Sequence, residues 1–144
     1  MIDLSVAEVV DALGARIKGD ATSVGGLAFP SVSIDSRSIR KGECFVAFEG
    51  KRFNGHDFVE EALKKGASTV IFSQDIARSD NWEDRLFLEV NDTEAALQTL
   101  AHYVRQGWGK SLIAISGSVG KTTTREFAAA LLERRFKVVQ SPGN

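Results

Sequence analysis

From Leu112 to Glu133 the chain reads L-I-A-I-S-G-S-V-G-K-T-T-T-R-E-F-A-A-A-L-L-E, an apolar stretch running into a Gly-rich turn, a lysine, three threonines and a helical pattern. Gly117 and Gly120 allow backbone conformations and a close approach that a side chain would block, so successive N–H groups can face an anion. A helix starting near Thr122 adds the positive end of its dipole. Lys121 then supplies a point charge for the β- and γ-phosphates of a nucleotide, and the Thr122 hydroxyl suits a Mg²⁺ shell. A full G-x-x-x-x-G-K-[ST] motif needs glycine where this chain has Ile115, so the match is to the shorter G-x-x-G-K-T form. A strand expected over Leu112 to Ile115, and a helix carrying Phe127, Leu131 and Leu132, give the loop the context that the motif requires. Residues 122 to 144 alone follow Lys121. That is too few for a complete nucleotide-binding domain, so the expectation is a truncated one.

Composition narrows the alternatives. With 18 basic and 19 acidic side chains in 144 residues, the charge balance suggests no nucleic-acid surface. Apolar runs stay well short of the ~20 residues that cross a bilayer, and M-I-D-L-S-V-A-E lacks the zones of a signal peptide, so a cytoplasmic location is expected. Cys44 is the single cysteine and sits in E-C-F-V-A-F, which reads as a buried small hydrophobe in a strand. His56 and His102, far apart in sequence, give a zinc site little support.

Upstream of the loop, helix and strand signals alternate, which points to an α/β domain. Ser5 and Glu8 have capping-box spacing for a short helix stopped by Gly14. Strands are expected around Val32 to Ile34, Glu43 to Phe48, Ser68 to Ser73 and Leu86 to Val90. Asp57 is the expected cap of a helix ending at Gly66, and Gln74 to Asp84 reads as a surface connection. Asp92 or Thr93 opens a helix to about residue 105, with Ala96, Leu97, Leu100, Ala101 and Val104 at helical spacing. The break at Gln106 to Lys110 places a boundary between a first domain, residues 1–106, and the start of a second, 107–144. Lys137 to Gln140 reads as a further strand.

Two clusters exceed what a core requires. Ser33-Ile34-Asp35-Ser36-Arg37 ends a strand on an acid, a hydroxyl and a guanidinium. Phe48 to Phe58, F-E-G-K-R-F-N-G-H-D-F, is a basic, aromatic and polar loop framed by two glycines. Turn chemistry accounts for most of these positions taken singly.

Their order carries more. S-I-D-S-R, F-x-G-x-R-F-x-G-H-D-F, V-N-D-T-x-x-A-L-Q-x-L-A, S-G-S-V-G-K-T-T-T-R-E and S-P-G-N together resemble the N-terminal part of the Mur ligases over essentially the whole chain. The resemblance implies a small N-terminal substrate domain, followed by the first strand, P-loop and helix of an incomplete P-loop NTPase-like central domain. It implies an ATP- and Mg²⁺-dependent amide ligase of peptidoglycan assembly, in which a peptide carboxylate takes the γ-phosphoryl group to give an acyl phosphate that an amine displaces. Within the family, the F-x-G-x-R-F-x-G-H-D-F run and the P-G-N ending are most similar to members that join D-alanyl-D-alanine to UDP-N-acetylmuramoyl-tripeptide. The tripeptide-forming members share the D-S-R and G-H patterns and remain an alternative.

Carried across by motif, Asp35, Ser36, Arg37, Arg52, Asn54, Gly55 and His56 are expected at the UDP-sugar. Gly117, Ser118, Val119, Gly120, Lys121, Thr122, Thr123 and Asn144 are expected at the nucleotide, with Lys121 catalytic and Thr122 on Mg²⁺. Val119 stands where many Mur ligases carry asparagine. The acidic Mg²⁺ ligand, the modified lysine, the adenine pocket and the domain for the amino substrate are not in the sequence, so these residues are not expected to catalyse by themselves. A non-catalytic UDP-sugar-binding module and an unrelated P-loop ATPase or kinase fragment are the competing readings.

Overall fold

A computed structural model describes residues 4–18, 28–50, 52–76 and 85–141. The chain separates into two compact units, Met1–Gly109 and Lys110–Asn144.

The first unit is built on one five-stranded sheet among the described residues. Helix α1, Val6–Leu13, opens on the expected capping box: the Glu8 N–H donates to Ser5 Oγ at 3.2 Å, and the Ser5 N–H donates to Glu8 Oε2 at 2.8 Å. Gly14, at φ 57°, closes it in the left-handed conformation that glycine adopts without penalty. The strands are β1 Arg16–Lys18, β2 Val32–Ser33, β3 Cys44–Val46, β4 Thr69–Phe72 and β5 Leu86–Glu89, in the order β1-β5-β4-β3-β2. From β2 to β5 the pairings are parallel, with Cys44 opposite Thr69 and Val70 opposite Phe87. β1 joins antiparallel at the edge, where Arg16 and Lys18 both pair with Glu89, at 3.2 and 2.9 Å.

Both faces of the sheet are covered, which explains the runs of consecutive apolar residues in its central strands, 44–46, 70–72 and 86–88. Phe45, Val70, Phe72 and Phe87 point to one face and pack with Val59, Ala62 and Leu63 of α2, Val59–Lys64. Phe72 and Phe87 meet edge to face, their centroids 6.3 Å apart. Cys44, Val46, Ile71 and Leu88 point to the other face, where Val10 and Leu13 of α1 and Ala96 and Leu97 of α3, Thr93–Trp108, cover them. Cys44 is fully buried, and burial pushes its thiol pKa far up, as suits a packing residue.

In the first unit the structure departs from the expectations at three points. Asp57 does not cap the helix after the Gly-rich loop: a 3₁₀ turn at Gly55–Phe58 leads into α2, and the cap is that turn's, where Asn54 Oδ1 accepts from the His56 N–H. α3 runs past residue 105 to Trp108, supported by the Gln106–His102 contact and by Arg105 over the Trp108 ring, and Gly109 stops it at φ 62°. β1 was not expected, since Arg-Ile-Lys carries little strand signal until β5 pairs with it. Most of the expected surface connection from Gln74 to Asp84 lies outside the described residues.

In the second unit α4, Lys121–Leu132, forms as expected. The strands expected at Leu112 to Ile115 and Lys137 to Gln140 do not. A strand exists through its ladder, and neither segment pairs with another among the described residues. Ile113, Phe127, Leu131 and Val139 are correspondingly exposed.

Candidate functional site

Parallel order brings the two upstream clusters together. β2 and β3 are adjacent and point the same way, so the segments leaving their carboxyl ends, 34–37 and 47–58, emerge side by side. Ligand clefts of open parallel sheets lie at that edge. A cavity of about 730 Å³ opens there, walled by Ile34, Asp35, Ser36 and Arg37 from the first segment and by Phe48, Gly50, Arg52, Phe53, Gly55 and Phe58 from the second. Phe45 of β3 and Glu61 of α2 complete it.

Each wall is held by its own hydrogen bonds. Arg37 grips Asp35 with two guanidinium bonds, Nε to Oδ1 at 2.9 Å and a terminal nitrogen to Oδ2 at 2.8 Å, and its backbone N–H donates to the same carboxylate. These bonds hold the Asp35 pKa down to about 2. Ser36 is buried and turns its hydroxyl toward Glu61 Oε2 at 3.3 Å. Lys65 reaches from the end of α2 to the Ser36 carbonyl at 3.0 Å and to Glu61 Oε1 at 2.7 Å, which lowers the Glu61 pKa. Glu61 and Lys65, which the sequence reading did not single out, therefore fix the turn that carries Arg37.

The second wall is a tight loop. The Gly50 N–H donates to the Phe53 carbonyl at 2.9 Å, and the Gly55 N–H to the Phe48 carbonyl at 2.8 Å. A Cβ on Gly55 would lie 2.6 Å from both Phe48 N and Phe48 O, so the loop and the end of β3 approach as closely as only glycine permits. Arg52 and Phe53 stand exposed on this loop. The cavity thus offers aromatic rings beside two guanidinium groups, a lining suited to a ligand that is part planar ring and part anion.

Of the expected UDP-sugar residues, Asp35, Ser36, Arg37, Arg52 and Gly55 line this cavity, while Asn54 and His56 stand behind the wall. The His56 ring is buried, with Nε2 accepting from the N–H groups of Ser73 at 3.0 Å and Gln74 at 3.3 Å. Phe53 lies within the loop from Arg52 to His56 that was expected near the ligand, while Ile34, Phe45, Phe48, Gly50, Phe58 and Glu61 are additions; the aromatic spacing of the loop was the one signal for Phe48 and Phe58.

The second unit carries the Gly-rich loop before α4. Gly117 and Gly120 have φ of 152° and 78°, and Lys121 folds back so that Nζ donates to the Gly117 carbonyl at 2.7 Å. Among the described residues no side chain caps the opening turn of α4, the arrangement in which a bound anion can take the place of a cap. Gly117 to Thr123 thus combine positive-φ glycines with a lysine at the start of a helix, the residue types that the expected phosphate loop calls for. Among the described residues no group of three or more His, Cys, Asp or Glu could hold a metal ion; the Thr122 hydroxyl is an oxygen donor of the kind that Mg²⁺ takes. Asn144 lies outside the described residues.

This chain belongs to the Mur ligase family: residues 29–105 match the family described as Mur ligase family, catalytic domain. That stretch contains both walls of the cavity and ends before the phosphate loop. Among its relatives is the UDP-N-acetylmuramoyl-tripeptide–D-alanyl-D-alanine ligase of Rickettsia prowazekii, 42% identical over 78% of this chain and 24% of the relative. A crystal structure of MurF from Acinetobacter baumannii superposes over the whole chain with a TM-score of 0.81 at 28% identity, using 30% of that protein. The MurF ligase from Thermotoga maritima in complex with ADP covers 81% of this chain and 26% of its own, with a TM-score of 0.67 at 34% identity. The chain spans about a quarter to a third of the length of these proteins.

Proposed function

We propose that the chain is the UDP-muramoyl-peptide-binding domain, residues 1–106, and the opening of the ATP-binding domain, 107–144, of a cytoplasmic ligase that adds D-alanyl-D-alanine to UDP-N-acetylmuramoyl-tripeptide. The observation that carries this reading is the cavity at the carboxyl ends of β2 and β3, with Arg37, Arg52 and the phenylalanine rings on its walls, in a chain that also bears a phosphate loop. In this reading the guanidinium groups take the diphosphate and the rings take the planar base. Asp35 orients Arg37, and Glu61 and Lys65 keep the turn in place. Gly117 to Thr123 cradle the phosphates of ATP with Mg²⁺ at Thr122, and ATP supplies the phosphoryl group that activates the peptide carboxylate. Lys121 stabilises charge on that group, a role that rests on positioning.

Calorimetry on the chain with UDP-N-acetylmuramoyl-tripeptide, and in parallel with the UDP-N-acetylmuramoyl-dipeptide used by tripeptide-forming relatives, tests the reading. Tighter binding of the tripeptide is expected. No heat with either ligand at millimolar concentration would refute it, and preference for the dipeptide would move the chain to the tripeptide-forming branch.

A further inference from the structure

His56 belongs to the most specific motif of the first unit, yet its ring is occupied from both sides. Backbone N–H groups can only donate, so the bonds from Ser73 and Gln74 make Nε2 an acceptor. A neutral imidazole then carries its proton on Nδ1, which lies 2.7 Å from Asn54 Oδ1 and donates to it. Asn54 passes the connection on: its Nδ2 donates to Gln74 Oε1 at 2.8 Å, and Gln74 Nε2 donates to Glu49 Oε2 at 2.8 Å. Glu49 and Asn54 also bridge each other through the backbone. The chain His56, Asn54, Gln74, Glu49 therefore ties both ends of the Gly-rich loop to the segment leaving β4, and the loop holds Arg52 and Phe53 at the cavity.

We infer that His56 is a positioning residue that touches no ligand: through Asn54 and Gln74 its neutral ring clamps the loop bearing Arg52 and Phe53, so that protonating it releases that wall. This rests on the proposed use of the cavity only where ligand affinity is concerned. The clamp needs Nε2 unprotonated, because a proton there would face two N–H donors. Burial lowers the His56 pKa, against the pull of Glu49 on the loop and Asp57 in the 3₁₀ turn, the charged groups that act on the ring among the described residues. An opened loop returns the ring to water and to its ordinary value of 6.5. Between pH 7.5 and 5.5 the opening equilibrium therefore rises by up to about tenfold.

Three measurements on the 144-residue chain decide it. Long-range ¹H–¹⁵N correlation at pH 7.5 should show His56 as the Nδ1–H tautomer, whereas the Nε2–H form would overturn the clamp. Amide exchange, corrected for intrinsic rate, should show Gly50 and Gly55 losing protection up to about tenfold at pH 5.5 relative to Val70 and Ile71 of β4. An equal loss in β4 would mean that His56 supports only the global fold and would refute the inference. Finally, His56→Ala should weaken UDP-N-acetylmuramoyl-tripeptide binding at least tenfold. His56→Gln, which can still accept from Ser73 and Gln74, should recover part of that loss and remove the acid dependence. If the native chain binds no UDP-sugar the function above fails, while the tautomer and exchange results still judge the clamp.

Discussion

Gly55 and Gly50 sit in one loop, neither at positive φ, so substituting each with alanine separates crowding from backbone conformation. At Gly50 the new Cβ would meet the Phe53 carbonyl at 3.4 Å, an ordinary contact. At Gly55 it would lie 2.6 Å from Phe48 N and O and 2.9 Å from the Ala47 carbonyl carbon, and none of these atoms is the tip of a flexible side chain. Ala47 is fully buried, so the strand side cannot retreat. Relief requires Gly55 to move by most of an ångström, which breaks its hydrogen bond to Phe48 at a cost of about 1 kcal/mol. Residual overpacking adds about 1–3 kcal/mol, and the stiffer unfolded chain offsets about 0.5 kcal/mol. Gly55→Ala should therefore destabilise by about 1.5–3.5 kcal/mol, and with ~4 °C per kcal/mol for a chain of this size the Tm should fall by about 6–14 °C. Gly50→Ala should stay within about 0.5 kcal/mol of the native chain. Urea and thermal unfolding followed by circular dichroism measure both. Equal effects, or a Gly55→Ala loss below about 1 kcal/mol, would show that the close approach is not what requires glycine there.

Other parts of the structure give shorter tests. The Asp35 carboxyl should titrate near pH 2 by NMR, and Arg37→Gln should return it toward 3.8. Because the folded value lies below the ordinary one, the stabilisation is present above pH 3.8 and is lost as the pH falls through about 2; an Asp35 titration unchanged in the variant would remove Arg37 as the cause. Cys44, fully buried with its thiol pKa raised, should resist aromatic disulfide reagents at neutral pH until denaturant is added, and stoichiometric labelling of the native chain would contradict its place in the core. Lys121→Ala removes a charge-assisted contact of about 1.5–3 kcal/mol, so calorimetric ATP affinity should drop roughly 10- to 100-fold, and undiminished affinity would detach the loop from nucleotide binding.

Features whose cause lies within a turn or two of chain were readable in advance. The Ser5–Glu8 box, the Asp92 cap and the stop at Gly14 are local hydrogen bonds or a local φ, and they formed as expected. The buried strands were readable because a sheet covered on both faces leaves consecutive apolar residues, as Val70, Ile71 and Phe72 in β4. β1 was not, since Arg16-Ile17-Lys18 becomes a strand only when Glu89 and its neighbours pair with it. Leu112 to Ile115 shows the converse: its apolar residues satisfy a strand pattern, but pairing is a property of two segments and no partner is present among the described residues.

The candidate site divides along the same line. The D-S-R and Gly-rich clusters could each be picked out by residue type, yet their shared cavity depends on β2 and β3 being parallel neighbours. Glu61, Lys65 and Gln74, which secure the walls, lie on elements that follow, 24 or more positions after Arg37, and no spacing rule links them. His56 is the sharpest case. Its motif suggested a ligand contact, but two backbone N–H groups and Asn54 occupy its nitrogens behind the wall. A histidine in a binding motif can thus matter through the donors that it satisfies, and its tautomer, set by those donors, separates that role from direct contact.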